Sequence, residues 1–161
     1  MNSKTLDRLD LKILDVLQQN ARITNQALAE RVALSPSACL ARVRALEAQG
    51  LIGGYRAQVA IDRIRSATIV LMLVSFRSHA MDDFRDFDQC ILDMPQIVEA
   101  CRISGGFDYL LRAIVTDMHE WKTIAKHLLN GDYGVEKIVS HILIDEIKPF
   151  CGYPLTPAAR R

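Results

Sequence analysis

The spacing of the apolar residues changes at a glycine pair, Gly53 and Gly54, and this change constrains the fold more than any other feature of the sequence. Before the pair, apolar residues recur every three or four positions, as they do on one face of a helix. After it, apolar runs suited to strands alternate with stretches that again have helical spacing. A chain of 161 residues accommodates two small domains. We therefore expect a helical domain followed by a domain of mixed α and β structure.

Three short helices are predicted before the glycine pair. The first has one apolar stripe and ends near Asn20. The residues of this stripe are Leu6, Leu9, Ile13, Val16 and Leu17. Thr24 is positioned to cap the second helix, and Ser35 followed by Pro36 is typical of the start of a third. Gly50 is suited to end the third helix.

Charge is divided unevenly along the chain, although the net charge of the whole is only +1. Residues 1–60 contain eight Lys and Arg against five Asp and Glu, a net charge of +3. The remainder has twelve bases and fourteen acids, a net charge of −2. Four of its acids are clustered, namely Asp82, Asp83, Asp86 and Asp88. Two parts with different electrostatics indicate two different functions.

The basic part has the pattern of a helix-turn-helix, in which the later helix enters the major groove of DNA. On a helical wheel, the residues predicted to be buried in the third helix are Leu40, Val43 and Leu46, with Cys39 close beside them. The opposite side consists of small residues flanked by two arginines: Ser37, Ala38, Ala41, Ala45 and Ala48, with Arg42 and Arg44. Since so few of these groups form hydrogen bonds, specificity should depend on DNA shape and bending.

Nine residues of this part are predicted to contact DNA. They are Arg22, Gln26, Ser35, Ser37, Ala38, Ala41, Arg42, Arg44 and Ala45. Arg42 and Arg44 are expected to make the main contacts, to phosphates and to a guanine edge. The pattern alone is also compatible with a three-helix protein-interaction module whose arginines are only solvated.

The part after the glycine pair is predicted to fold as two β-α-β units in tandem, the ferredoxin-like βαββαβ arrangement. The predicted elements are strand 67–76, helix 80–93, strand 97–103, strand 108–116, helix 118–129 and strand 136–147. The α+β chain is thus divided into a helix-turn-helix domain at 1–54, a strand and linker at 55–66, a ferredoxin-like domain at 67–148 and a loose C-terminal tail at 149–161. The linker strand is predicted over 55–61.

The predicted strands are apolar on both faces, although helices cover only one face of such a sheet. In the first strand, Val70, Met72, Val74 and Phe76 point one way, whereas Ile69, Leu71 and Leu73 point the other. In the last strand, Ile138, Ile142 and Ile144 oppose Val139, Leu143 and Ile147. An exposed face this apolar is larger than a soluble monomer usually tolerates, so we expect a second copy of the chain to cover it.

A glycine turn between two predicted strands is the second candidate site. Its residues are Ser104, Gly105, Gly106, Phe107, Asp108 and Tyr109. Backbone amides of the glycines are suited to a carboxylate and Asp108 to an ammonium group, and together these describe an amino acid. The alternative is an ordinary hairpin connection, in which glycine and aspartate are common.

Enzymatic chemistry has little support in the sequence. The four histidines have no metal-binding spacing, and no hydrolase or phosphate-loop motif occurs. The four cysteines fit no zinc pattern and are expected to be reduced thiols. No apolar run is long enough to cross a bilayer and the N-terminus does not resemble a signal peptide, so a cytoplasmic protein without metal or cofactor is predicted.

Two separated motifs resemble those of one known family. The run LDRLDLKILDVLQQNARITNQALAERVALSPSACLARVRALEAQGLIGGY closely resembles the N-terminal domain of the Lrp/AsnC (feast/famine) transcriptional regulators, and SGGFDYLLRAIVTD resembles a segment of their ligand domain. The resemblance implies a DNA-binding, ligand-responsive regulator that forms dimers through its sheets and often octamers. It also implies an effector, typically an amino acid, bound between dimers near Gly105, Asp108 and Tyr109.

Two other functions are weighed against a ligand-responsive regulator. One branch resembling this family decarboxylates sirohaem-type tetrapyrroles, and the residues available to hold the substrate's carboxylates would be Arg102, Arg112 and His141. The other is an architectural DNA-binding protein with no effector. Basic residues are common in the family at the positions of Ala41 and Ala45, so this recognition helix offers fewer direct contacts.

Overall fold

The structure is a computed structural model that describes residues 6–78 and 81–155, apart from the side chains of 81–83. The predicted helix start at residue 80, the side chains of Asp82 and Asp83, and residues 156–161 of the predicted tail lie outside the described residues. The chain divides into two compact units. One contains the chain through Gln58 and again from Lys148, and the other is Val59–Ile147.

The first unit contains the three predicted helices. They are α1 (Arg8–Gln19), α2 (Asn25–Val32) and α3 (Pro36–Ala48). Each begins at a side chain that accepts hydrogen bonds from the first turn, and these N-caps are Asp7, Thr24 and Ser35. The turn between α2 and α3 passes through Ala33 in a left-handed conformation (φ 58°). The fully or nearly buried residues between the helices are Ile13, Leu28, Ala29, Val32, Cys39 and Leu46.

The buried side of α3 differs from the predicted one. Cys39 and Leu46 are its buried residues and Val43 is partly buried, whereas Leu40 is 39% exposed. The predicted buried side of α3 was therefore rotated from the observed one, because Cys39 and not Leu40 packs into the core. The shift brings Arg42, which lies three residues after Cys39, to the buried side.

The start of the predicted loose tail is held on α1. The Tyr153 backbone amide donates to Gln18 Oε1 at 2.6 Å, and Gln18 Nε2 donates to the Tyr153 carbonyl at 3.2 Å. Gly152 lies beside this pair with φ 115°, and a Cβ there would be 2.8 Å from Gln18 Oε1. We call residues 149–155 the strap. Their contacts correct the expectation of a loose tail for this segment, because a side-chain amide satisfies its backbone.

The strand predicted over 55–61 is absent from the structure. Residues 53–60 contain no strand, and a short 3₁₀ helix follows at Ile61–Arg63. A strand requires a partner to pair with its backbone, and no described segment of this chain pairs with these residues. The apolar pattern of the segment was therefore insufficient for the prediction.

The second unit has the predicted ferredoxin-like order of elements. They are β1 (Thr68–Phe76), α4 (Met81–Leu92), β2 (Ile97–Arg102), β3 (Tyr109–Val115), α5 (Met118–Asn130) and β4 (Val135–Ile142). The strands form one antiparallel sheet in the order β2-β3-β1-β4. The helix-facing core of this sheet includes Val70, Met72, Val74, Phe76, Tyr109, Leu111, Ala113 and Val115.

The last strand is shorter than predicted. Val70 of β1 pairs with Ile142, and the Leu143 amide donates to the Ile69 carbonyl at 2.9 Å. Because β1 begins at Thr68, little of it remains for later residues to pair with. Residues 144 and 147, predicted as part of the strand, are consequently 96% and 87% exposed.

The side of the sheet away from the helices, which we call the open face, is partly exposed in the single chain. Ile69, Leu71 and Leu73 of β1 lie on it, and each is only partly buried. Their alternation with the buried residues of the same strand agrees with the predicted two-sided pattern. No helix in the described part of the chain is long and apolar enough to cross a membrane.

Candidate functional site

One exposed stripe runs along α3. Ser37, Ala41, Arg44 and Ala48 follow one another at intervals of three or four residues, and all are exposed. Ala45 lies beside the stripe and is also exposed. The stripe has one large side chain, the guanidinium of Arg44, and the exposed Leu40 borders it between Ser37 and Arg44, so the surface is less smooth than expected for this helix.

The beginning of α3 is tied to its surroundings. The hydroxyl of Ser35 accepts from the Ala38 amide at 3.3 Å, and it lies 3.3 Å from the Ser37 hydroxyl. Asn25 Nδ2 donates to the Pro36 carbonyl at 2.8 Å, which joins the starts of α2 and α3. Ser35 therefore serves as a cap, Ala38 is only partly exposed, and Ser37 retains an exposed hydroxyl at the helix N-terminus.

Two predicted DNA-contacting residues precede α3. Arg22 is exposed in the turn after α1, where its backbone amide donates to Asn20 Oδ1 at 3.0 Å. Gln26 is exposed in the first turn of α2, with its side-chain amide 3.5 Å from Glu30 Oε1. Both side chains are accessible to a partner molecule.

Arg42 has a different environment from Arg44. Its Nη1 donates to Asp7 Oδ2 and to Asp10 Oδ1, each at 2.7 Å. The Arg42 side chain is 33% exposed and that of Asp10 is 17% exposed. The hydrogen bond from the Asp10 backbone, followed by that from Arg42, lowers the pKa of Asp7. The guanidinium expected to meet DNA is therefore bonded to two carboxylates at the start of α1.

The glycine turn is a hairpin loop between β2 and β3. The Ile103 amide donates to the Asp108 carbonyl at 2.9 Å and closes the loop. Gly105 has φ 120°, a conformation that other residues rarely adopt. Ser104, Gly105 and Gly106 are exposed, and no described residue accepts a hydrogen bond from the backbone amides of 104–107. These amides are thus available to an anionic group.

Asp108 is used within the fold. Its Oδ2 accepts from the Phe76 amide at 2.9 Å, and its own amide donates to the Val74 carbonyl at 2.8 Å. These two bonds attach the loop to the end of β1. The carboxylate expected to receive an ammonium group therefore also anchors the turn.

Tyr109, predicted with the turn as an effector-binding residue, is buried in the single chain. It is 1% exposed and its ring packs against Phe87, with a centroid distance of 4.9 Å. Its hydroxyl donates to Asp88 Oδ1 at 2.7 Å and accepts from Arg102 Nε at 2.9 Å, while Arg102 also donates to Asp88. The alternation of β3 turns the Tyr109 ring toward the helices.

The residues considered for a tetrapyrrole enzyme do not converge. Arg102 pairs with Tyr109 on the helix-covered side, whereas Arg112, three residues further along β3, lies on the open face. Arg112 Nε lies 3.2 Å from Glu99 Oε2, so its charge already has a partner. His141 is exposed and lies opposite Leu71, which places it on the open face too. No group of metal-ligating side chains occurs among the described residues.

Sequence reasoning missed the acids that hold these arginines. Asp7 and Asp10 have the three-residue spacing of a capping box, and this signal was available in the sequence. Asp88 was grouped with the other acids of α4. The pairing of β2 with β3 brings Arg102 beside Tyr109, and the packing of α4 on the sheet brings Asp88 to both. Its role depends on contacts distant in sequence.

Comparisons with known proteins match both parts of the chain. Residues 6–52 match the winged helix-turn-helix DNA-binding family, and residues 69–152 match the Lrp/AsnC ligand binding domain. The chain is 37% identical over 145 residues to the leucine-responsive regulatory protein of Escherichia coli (strain K12), covering 90% of this chain and 88% of that protein.

Solved structures with the same fold extend over both units. A transcriptional regulator from Neisseria meningitidis in complex with L-Met has a TM-score of 0.86 and 38% identity, covering 94% of this chain and 97% of that one. An AsnC family transcriptional regulator from Agrobacterium tumefaciens has a TM-score of 0.84 and 29% identity, covering 93% and 97%.

The buried Tyr109 hydroxyl predicts a loss of stability in alkali. Burial, followed by the hydrogen bond to Asp88, raises the pKa of Tyr109 above its usual value near 10. Because the folded state holds this proton more tightly, the contribution is complete below pH 10 and declines as the pH rises further. Tyr109→Phe should lower the free energy of unfolding by about 1 kcal/mol at neutral pH. In urea titrations from pH 8 to 11, wild type should lose stability more steeply than this variant; parallel curves would contradict the assignment.

Proposed function

The chain belongs to the Lrp/AsnC family of transcriptional regulators, and we propose that it binds its operator with α3 and responds to an amino acid bound at the turn between β2 and β3. The observation that best supports the DNA-binding mode is the exposed stripe of small residues around Arg44. Small side chains let a helix approach base edges and thymine methyl groups closely. A transcriptional regulator acts in the compartment that holds the chromosome, so we propose that this protein is cytoplasmic.

Arg44 is proposed as the main cation of the DNA interface. It is exposed in the middle of the stripe, with Ala41 and Ala45 beside it, and Ser37 is exposed one turn nearer the helix N-terminus. Arg22 and Gln26 are exposed before and within α2, the helix that usually crosses the phosphate backbone. With so few direct hydrogen bonds, sequence preference depends substantially on DNA shape.

The hairpin loop is proposed as the effector site. Its exposed amides of Ser104, Gly105 and Gly106 are suited to a carboxylate. The Neisseria regulator, 38% identical to this chain, was solved with L-Met, which supports an amino acid as the effector class. Phe107 is partly exposed and is available to an apolar side chain, while Asp108 keeps the loop attached to β1.

A second copy of the chain is proposed to cover the open face. The central strands place Ile69, Leu71, Leu73, Leu110 and Ile114 on this face, and all are only partly buried in the single chain. Such an apolar surface is typical of a homodimer interface. We further propose that dimers associate, up to an octamer, with the effector bound between dimers.

The two alternative functions receive less support. A decarboxylase would need several cations near one substrate, and Arg102 and Arg112 point to opposite sides of the sheet. The relatives named above are regulators rather than enzymes. An architectural protein without an effector would not require the exposed amides of the hairpin loop.

Replacing Arg44 tests the DNA-binding mode. Arg44→Ala should weaken binding to a duplex selected with the wild-type protein by about 1 to 3 kcal/mol if the guanidinium contacts a base. If it contacts only a phosphate, the salt slope should fall by about 1. Fluorescence anisotropy at several salt concentrations measures both, with Lys12→Ala, an exposed cation on α1, as the control. Unchanged affinity and slope would remove Arg44 from the interface.

Two neighbouring glycines test the effector site. A Cβ added at either glycine meets no atom within 4 Å, but Gly105 has a positive φ and Gly106 does not. Gly105→Ala should therefore distort the loop, whereas Gly106→Ala should not. In a thermal-shift screen of the twenty amino acids, the wild type should be stabilised by about 2.7 kcal/mol at 100 times Kd. Gly106→Ala should keep this response and Gly105→Ala should lose most of it. Equal responses in all three proteins would place the site elsewhere.

Leu73→Asp tests the open face. A charge in a dry interface is costly, so this variant should dissociate toward the 18.1 kDa monomer at micromolar concentration. Light scattering should show the wild type as a dimer or larger. Leu92→Asp, at an exposed position of α4, is the control and should not change the assembly. A monomeric wild type would refute the proposed dimer.

A further inference from the structure

We infer that Arg42 is a positioning residue: it sets the rotation of α3 against α1, so that of the two arginines in this helix only Arg44 faces the duplex. This inference rests on the proposed use of α3 as the DNA-binding helix. It assigns the two arginines opposite roles, although both are long, cationic and separated by one residue. Three features of the structure support it.

The first feature is the position of Arg42 around the helix. It lies three residues after Cys39 and four before Leu46, and both of those residues are buried in the core of the unit. Residues at these intervals share one side of a helix. Arg44 is two residues further on, about 200° around the axis, and lies on the exposed stripe.

The second feature is the charge around the guanidinium. Arg42 Nη1 donates to Asp7 Oδ2 and Asp10 Oδ1 at 2.7 Å each. The three side chains together carry a net charge of −1 when all are ionised. A phosphate approaching Arg42 would therefore meet two carboxylates as well as one cation, and repulsion from them would offset the attraction.

The third feature is that the same carboxylates build the start of α1. Asp7 Oδ1 accepts from the amides of Leu9 and Asp10, and Asp10 Oδ2 accepts from the Asp7 amide at 3.2 Å. Each carboxylate thus uses one oxygen for the cap and the other for Arg42. Because the cap fixes both carboxylates, their second oxygens define where Arg42, and with it α3, must lie.

Removing the two negative charges tests the inference, because a positioning residue and a DNA-contacting residue predict different changes in the preference for a selected duplex. Asp7→Asn combined with Asp10→Asn retains amide oxygens for capping, and asparagine is a favourable N-cap. The amide nitrogens cannot accept from Arg42. If Arg42 positions α3, this variant should lose preference for a duplex selected with the wild-type protein. The ratio of its affinity for that duplex to its affinity for a random duplex should be about tenfold lower than the wild-type ratio. If Arg42 contacts DNA, freeing it from two acids should leave this preference unchanged or raise it, which would overturn the inference.

The salt dependence of DNA binding gives a second, independent readout. Arg42→Ala should weaken binding to the selected duplex while its salt slope remains that of wild type, because no phosphate contact is lost. Arg42→Lys, which keeps one cation near the two acids, should restore part of the affinity. A fall of about 1 in the salt slope for Arg42→Ala would show a phosphate contact and refute the positioning role.

The controls separate this inference from the proposed function. Circular dichroism and thermal melting report whether each variant retains its helices, and the salt slope is interpretable for any variant that still binds. If wild type does not bind a selected duplex, the proposed function fails. If wild type binds and Arg44→Ala weakens binding, but the double asparagine variant keeps the wild-type preference for the selected duplex, only the positioning role fails.

Discussion

Strand β1 is hydrogen-bonded on both edges and packed against the helices on one face, and the arrangement of the ligand-binding unit depends on its register. Its pairing with β3 places Val74 opposite Tyr109, and the bonds to Asp108 continue that pairing into the hairpin loop. Its pairing with β4 ends near Thr68, so the residues that follow β4 do not continue the sheet. The position of the hairpin loop and the open face are therefore both consequences of how one strand is held.

In the DNA-binding unit, side chains at helix starts perform two functions. Asp7 caps α1 and also bonds to Arg42 of α3, and Asn25 at the start of α2 bonds to the Pro36 carbonyl. Capping is a local interaction that a short helix needs in order to begin. Here the cap Asp7 of α1 and Asn25, the first residue of α2, both contact α3, so the angles between the helices are determined at their ends as well as in a small core. A helix with so few large side chains benefits from such fixed ends.

The sequence was sufficient for features that depend on neighbouring residues. The helix starts at Thr24 and Ser35 and the alternation in β1 were predicted because capping and strand pleating act over a few residues. The buried side of α3 was not predicted correctly. Cys39 and Leu40 are both plausible core residues, and only packing against the other helices selects one. The roles of Arg42 and Asp88, like the contacts of the strap, depend on residues brought together by the fold. The strand predicted over 55–61 was wrong for the opposite reason: its apolar pattern suited a strand, but no described segment of the chain pairs with it.

The strap gives the chain the connectivity of a domain insertion. Gln18 and Tyr153 are 135 positions apart, and the whole ligand-binding unit lies between them. Closing a flexible loop of that length costs about 4 kcal/mol in chain entropy, more than two hydrogen bonds provide. Once the intervening unit has folded, the pairing of Val70 with Ile142 brings the beginning of its first strand beside the end of its last, and most of that entropy has already been lost. We therefore expect the strap to dock on α1 after the ligand-binding unit has folded.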